Sequence, residues 1–250
     1  MLSLGRFMLA LHIAALIGGT QAAAQTAPSA PPAVAAPTVV ELFTSQGCSS
    51  CPPSDQQLGE LAKRADLLPL SFHVDYWDYI GWKDPFASAT NTERQRGYAR
   101  SLKQRYVYTP EMVVGGLVHD PGYDPAKIGK MLRMAADRAG PRVIPALARA
   151  AGNGLAVTIP ETRLTVPYDV WLVTFDRQHR TEVGRGENKG ATLTNYNVVR
   201  TIEKLATWNG EAASWIVPAE RIRDGQSVAV IVQQTSYGPI AGAGRWDRPN

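Results

Sequence analysis

Thr38-Val-Val-Glu-Leu-Phe-Thr-Ser-Gln-Gly-Cys48-Ser-Ser-Cys51-Pro-Pro53 is the stretch on which the reading of this chain turns. Thr38 to Phe43 is a short β-branched and apolar run with one acid, Glu41, and predicts a buried strand. Thr44 to Gly47 make a turn. The Cys48-Ser-Ser-Cys51 segment then opens a helix, because Pro52 and Pro53 suit a first helical turn, where an N–H has no partner anyway. A helix start carries partial positive charge, which favours a thiolate over a thiol. Cys48 would therefore be the nucleophile and Cys51, deeper in the turn, the thiol that resolves a mixed disulfide.

Outward from that stretch the pattern stays α/β. Leu67 to Val74 is strand-like despite Pro69, and Val107 to Val114 is a strand with Pro110 inside it, followed by Gly115-Gly116. Lys127 to Ala139 places Ile128, Met131, Leu132, Ala135 and Ala136 on one helical face, with Asp124-Pro125 as cap and first position and Gly140-Pro141 as the stop. After Pro141, short β-branched runs dominate: Leu155–Ile159, Val170–Phe175, Thr192–Asn197 and Ser227–Gln233, with Val198 to Trp208 readable as helix or strand. The expected organisation is an α/β domain over residues 38–141 and a smaller β-rich, sandwich-like domain over 142–250.

The N-terminal residues read as an address. Arg6 is the only charge before Glu41, Phe7–Ile17 is apolar apart from His12, and Ala22-Ala23-Ala24 offers a small-residue cleavage site. That predicts a signal peptide over residues 1–24, followed by a Pro/Ala-rich tether over 25–37, and a protein exported to the periplasm or secreted. The apolar run is shorter than the roughly 20 residues a spanning helix needs, so no membrane span is expected.

Composition narrows the functional classes. The chain has 250 residues, 44% hydrophobic and 19% charged, with two cysteines, so a disulfide-rich scaffold and a four-cysteine metal site from one chain are excluded. The net charge of +4 comes without a basic stretch interleaved with stacking aromatics, so no nucleic-acid partner is expected. No cofactor is called for, and the oligomeric state is not legible.

The active-site stretch resembles the strand and loop of the thioredoxin superfamily, and Tyr108-Thr109-Pro110 with Val113-Val114-Gly115-Gly116 resembles that superfamily's cis-proline loop. The resemblance implies that Pro110 is cis and faces the cysteines, that the Thr109 backbone pairs with a bound substrate strand, and that Glu41 is the proton relay. The Gly116 to Asp124 stretch is nearer to glutaredoxins, in which an acidic helix cap helps bind glutathione. More closely, the chain is similar to a bacterial exported family, the domain of unknown function 1223. The motifs that carry this are the cysteine stretch, Asp75-Tyr-Trp-Asp78, Gly81-Trp-Lys-Asp-Pro-Phe86, Tyr108-Thr-Pro-Glu-Met-Val-Val114, Gly186-Glu-Asn-Lys-Gly190 and Asn197-Val-Val-Arg200. The implied activity is thiol–disulfide exchange with a protein or small-thiol partner. The site would comprise Cys48, Cys51, Thr109, Pro110 and Glu41.

Two other readings share the cysteines. Two thiolates with an imidazole suit copper(I) or zinc, and His73 or His119 would supply it, giving a metal-binding or delivery protein. A non-catalytic binding module with a structural disulfide is the third. Of the remaining motifs, the Asp75–Phe86 loop reads either as a lid or peptide-binding wall beside Cys48 or as aromatics packed onto the core. Paired acids such as Asp75 and Asp78 come without a nucleophile motif that would make a hydrolase. Arg94, Arg96, Arg100, Lys103 and Arg105 read as the solvated face of a helix, and Gly186 to Gly190 as a hairpin turn.

Overall fold

The computed structural model describes residues 36–138 and 140–247; the signal peptide and most of the tether read from the sequence lie outside them. The described residues start with strand β1 (Thr38–Thr44), helix α1 (Pro52–Leu61) and strand β2 (Leu67–His73), and β2 pairs parallel to β1 from Thr38↔Leu67 to Thr44↔His73. A loop carrying one short 3-10 turn, Asp78–Ile80, leads to α2 (Ala89–Ser101). Ser88 caps α2 by accepting from the Asn91 N–H at 3.2 Å. Strands β3 (Glu111–Val114) and β4 (Val118–Asp120) then pair antiparallel on the other side of β1, before α3 (Pro125–Ala136). Asp124 caps α3 by accepting from the Ala126 and Lys127 N–H groups, so the sequence signal for that helix start is used as read. β3 begins only after Pro110, since a proline has no N–H to give a ladder.

The second half joins the first. Strands β7 (Tyr168–Glu182), β8 (Thr192–Trp208), β10 (Ser227–Gln234) and β11 (Ile240–Asp247) continue the N-terminal sheet, making eight strands in the order β11-β10-β7-β8-β2-β1-β3-β4. The junction is a parallel contact of β8 with β2 at Ser71↔Val198, reinforced by Asn197 Nδ2 donating to Pro69 O at 2.8 Å. The expected separate sandwich after residue 142 is realised differently: these four strands extend the sheet. Strands β5 (Ala146–Arg149), β6 (Leu155–Ile159) and β9 (Ala213–Val217) form a small antiparallel sheet of their own. The Val198–Trp208 stretch is strand, because its ladder with β7 runs from Tyr168↔Trp208 to Glu182↔Thr192.

Alternation along each strand decides what covers it. Val40, Leu42, Met112 and Val114 point to the side packed by Leu58, Leu61, Ile128 and Met131 of α1 and α3. Val39, Phe43, Leu70, Phe72 and Val113 point to the other side, with Tyr98 of α2 and Val173, Phe175, Ala229 and Ile231 from the C-terminal strands. The sheet curls around this second cluster: Ile240 N–H donates to Gly115 O at 2.9 Å, bringing β11 back to the end of β3. The opposite side of β7 and β10 is covered by Leu155, Val157, Ile159 and Val217 of the small sheet. Each fully buried aliphatic or aromatic side chain contributes roughly 1.5–3 kcal/mol through water removal.

The basic run is not wholly a solvated helix face. Arg96, Arg100, Lys103 and Arg105 are exposed, but Arg94 is buried, 2% exposed, in the curl of the sheet. Its Nε donates to Glu41 Oε1 at 2.6 Å, and its guanidinium lies 5.3–5.9 Å from the ring centres of Phe72, Tyr98, Trp171 and Tyr237. A charge this deep is tolerated only when paired, and β1 supplies the partner. Helical spacing alone could not reveal that this face of α2 meets a strand acid.

Candidate functional site

The site lies where β1 ends and α1 begins. Cys48 and Cys51 are joined by a disulfide with Cα atoms 5.5 Å apart. Cys51 is the residue before α1 and already has helical dihedrals, φ −77° and ψ −36°. Pro52 and Pro53 occupy the first two helical positions, so two of the donors a helix start ordinarily presents are missing, and the Ser54 N–H is engaged by Cys51 O at 2.9 Å. The polar neighbour of the Cys48 sulfur is the Ser50 hydroxyl, at 3.4 Å. Both sulfur residues are 0% exposed, whereas Ser49 and Ser50 between them are exposed.

The Thr109–Pro110 peptide is cis and abuts this turn. Ser50 Oγ donates to Thr109 O at 3.5 Å, and Trp77 Nε1 donates to the Thr109 hydroxyl at 2.7 Å. Four of the five expected site residues are thus assembled: Cys48, Cys51, Thr109 and Pro110. Glu41 is not among them. Its carboxylate is used by Arg94 and by the Tyr98 hydroxyl inside the curl of the sheet. Its side chain follows the alternation of β1 to the α2 side.

The acid on the cysteine side is Asp55, four residues after Cys51. At that spacing two helical side chains share a face, with about 5–6 Å between Cβ atoms. Asp55 Oδ2 accepts from Thr44 Oγ1 at 3.2 Å, and Oδ1 is buried without a hydrogen-bond partner. Burial pushes its pKa up from 3.8 to about 7, against the opposing pull of His73 and the Thr44 hydrogen bond. The same i, i+4 rule applied to Cys51 would have found Asp55 in the sequence.

His73 ends β2 beneath this turn, fully buried, with Nδ1 2.7 Å from Asp84 Oδ2 and Nε2 unpartnered. Burial pulls its pKa down, but the charge and hydrogen bond of Asp84, with Asp55 adding, leave it raised overall. Burial likewise pushes Asp84 up, yet His73 and the N–H groups of Gln46 and Phe86 hold it below the usual carboxylate value. His119 is elsewhere, on β4, with Nδ1 2.8 Å from the Tyr108 hydroxyl. Neither histidine has a sulfur partner. Among the described residues, no group of three or more His, Cys, Asp or Glu side chains is placed to hold a metal ion.

Two further segments close over the cysteine turn. The Asp75–Phe86 loop divides its duties: Tyr76 and Trp77 pack against the core, Asp84 is buried and bonds Gln46, and Tyr79 stays 82% exposed. The second segment is the tip of the β7–β8 hairpin, residues 183–191. Asn188 Nδ2 donates to Gln46 O and to Cys48 O, each at 2.9 Å. Glu187 Oε2 accepts from the Ser49 N–H at 3.1 Å and hydroxyl at 2.6 Å. Gly186 is the hairpin turn read from the sequence, but its docking carried no local signal, since 138 residues separate Ser49 from Glu187.

Fold and site define an α/β protein built around a Cys-x-x-Cys disulfide at a strand-to-helix turn. The chain belongs to the DUF1223 family, described as a protein of unknown function, whose model matches residues 39–233. It is 32% identical to a protein from Agrobacterium tumefaciens whose crystal structure superposes with a TM-score of 0.74, over 84% of this chain and 94% of that one. HBP35 of Porphyromonas gingivalis shares the fold at 13% identity, with a TM-score of 0.59 over 85% of this chain and 75% of that one. No curated protein matches the chain. Among the described residues, no helix is long and apolar enough to cross a membrane.

Proposed function

We propose that the protein is a thioredoxin-like thiol–disulfide exchange protein, exported to the periplasm or secreted, acting on a protein or small-thiol partner. The observation that carries the reading is the Cys48–Cys51 disulfide held at a helix start against the cis Thr109–Pro110 peptide. A short disulfide in that setting suits chemistry better than bracing, because it closes a loop too small to restrain much of the unfolded chain.

In the reducing direction of the reaction, a partner thiolate attacks Cys48 Sγ, the S–S bond breaks, and Cys51 leaves with the electron pair. The partner's second thiol then displaces Cys48, so the partner becomes a disulfide and this protein a dithiol. That order oxidises a partner dithiol. In the reverse order Cys48 of the reduced protein attacks a partner disulfide and Cys51 then displaces the partner thiol, which reduces the partner and restores the Cys48–Cys51 disulfide. Cys51 is buried, so its thiolate needs a nearby proton donor, and Asp55, with a pKa of about 7, is matched to give or take that proton near neutrality. Glu41 is spoken for by Arg94.

The experiment is to replace Cys51 with Ser and to analyse the exported protein under non-reducing conditions. Mixed disulfides that disappear on a further Cys48→Ser change are expected. If none form through Cys48, exchange is not the function.

A further inference from the structure

We infer that the β7–β8 hairpin tip is a clamp on the cysteine turn, with Asn188 and Glu187 as positioning residues that govern when Cys48 can be attacked. The starting point is access. Attack on a disulfide requires a nucleophile to approach one sulfur along the S–S axis, yet Cys48 and Cys51 are both 0% exposed. Some part of the surroundings has to move first.

The Gln46–Ser50 turn is held from two sides. On the protein side, the Gln46 N–H donates to Asp84 at 2.8 Å and its side-chain amide to Asn195 at 3.1 Å, both buried. Those contacts are the turn's foundation. On the solvent side, the hairpin tip supplies the rest, through Asn188 on Gln46 O and Cys48 O and through Glu187 on Ser49. Glu187 and Ser49 are exposed and Asn188 is half-buried, so water replaces these contacts as they open.

The tip is built to move as a unit. The Val183 N–H donates to Ala191 O at 2.9 Å and the Gly190 N–H to Val183 O at 2.8 Å, closing the tip on itself. Gly186 and Gly190 hold positive φ, +76° and +84°, where a side chain would strain the turn. The tip also rests on the aromatic loop, since a Cβ on Gly184 or Gly186 would lie 3.3 Å from Trp82.

Charge gives the clamp a preference. Glu187 takes the Ser49 N–H and hydroxyl, donors on the residue next to Cys48. A Cys48 thiolate formed on reduction is a second anion at that place, which competes for donors and repels the carboxylate. Differential contact with the two redox states means the clamp favours the disulfide. This is the task the C-terminal half performs for the cysteine site: β7 and β8 are long enough to carry a loop back over it.

The inference rests on Cys48 being the attacked sulfur, as in the exchange reading, but its test needs no physiological partner. The oxidised protein is mixed with increasing dithiothreitol, and reduction is followed by quenching with an alkylating agent and counting modified cysteines by mass. The reductant thiolate opens the Cys48–Cys51 bond, its second thiol completes a cyclic disulfide, and two protein thiols result. Asn188→Ala, and Asn188→Asp as the variant that keeps the side-chain shape without the donor, should be reduced roughly tenfold faster, the factor two neutral hydrogen bonds supply. Glu187→Gln should also accelerate reduction. Lys189→Ala, on the same tip but without a bond to the turn, should match the parent. Rates for Asn188→Ala and Asn188→Asp within twofold of the parent would overturn the clamp, as would equal acceleration by Lys189→Ala. Absence of mixed disulfides in the Cys51→Ser experiment would end the exchange reading while leaving this result readable.

Discussion

Replacing Asp55 with Asn tests the electrostatics beneath the cysteines. In the folded protein this acid titrates at about 7, against an ordinary value of 3.8, because burial disfavours its charge. A folded pKa above the unfolded one means the native state holds the proton more tightly. The stabilisation is fully present below pH 3.8 and is lost as pH rises through 7. At about 1.4 kcal/mol per pH unit, the gap amounts to about 4 kcal/mol of stability lost between pH 4 and pH 7. The groups around it are Thr44 on β1, His73 on β2, Asp84 from the aromatic loop and Asn195 on β8, with Arg200 acting on His73. His73, also raised, loses its stabilisation only above its ordinary 6.5, and Asp84, lowered, loses its own only below 3.8. Between pH 4 and 6 Glu111 and Asp78, both raised by burial, and His119, lowered by burial, titrate as well, so the share of Asp55 is the difference between the parent and the Asp55→Asn curves. Urea unfolding of the oxidised protein at each pH from 4 to 8 should show parent stability falling relative to Asp55→Asn as pH rises from 4 to 6. A variant with the parent's slope across that interval would refute the reasoning.

Two more expectations concern the packing that carries the site. Arg94→Met strands Glu41 in the curl of the sheet and should cost about 3–5 kcal/mol by denaturant unfolding. Arg94→Met with Glu41→Leu should recover much of that; a double variant no better than the single would mean the ion pair is not what matters. Gly97→Ala on α2 would place a Cβ 2.4 Å from the Tyr237 ring. That ring is stacked on Trp171 with centroids 6.1 Å apart, so it cannot retreat freely. The gain in helix propensity of about 1 kcal/mol should be outweighed, lowering stability by about 1–2 kcal/mol in the same unfolding assay; a stabilised variant would contradict the packing.

Legibility from the sequence followed the range of the interactions. The strand–turn–helix around Cys48 and Cys51 and the Asp124 cap of α3 rest on contacts between residues a few positions apart, which composition and spacing record, whereas the cis Thr109–Pro110 peptide was implied only by the family resemblance and meets Ser50 and Trp77 across long stretches of chain. Asp55 was within reach of the same rule, one helical turn from Cys51. The ambiguity at Val198–Trp208 and the border at residue 142 were different. The first depends on β8 pairing with β7 and the second on β8 reaching β2, and one-dimensional periodicity does not say which strand a strand will join.

The cysteine pair, its position at a helix start and the α/β pattern around it are determined by the sequence alone, through local sterics, proline placement and hydrophobic alternation. The tertiary structure alone decided that Glu41 lies away from the cysteines. Alternation on β1 sends Glu41 to the α2 side, where a buried charge had to find Arg94, while Asp55, one helical turn after Cys51, meets Thr44 at the end of β1. It also decided that a hairpin tip 138 residues away closes the site, because only the long pairing of β7 with β8 brings Glu187 and Asn188 to Ser49 and Cys48.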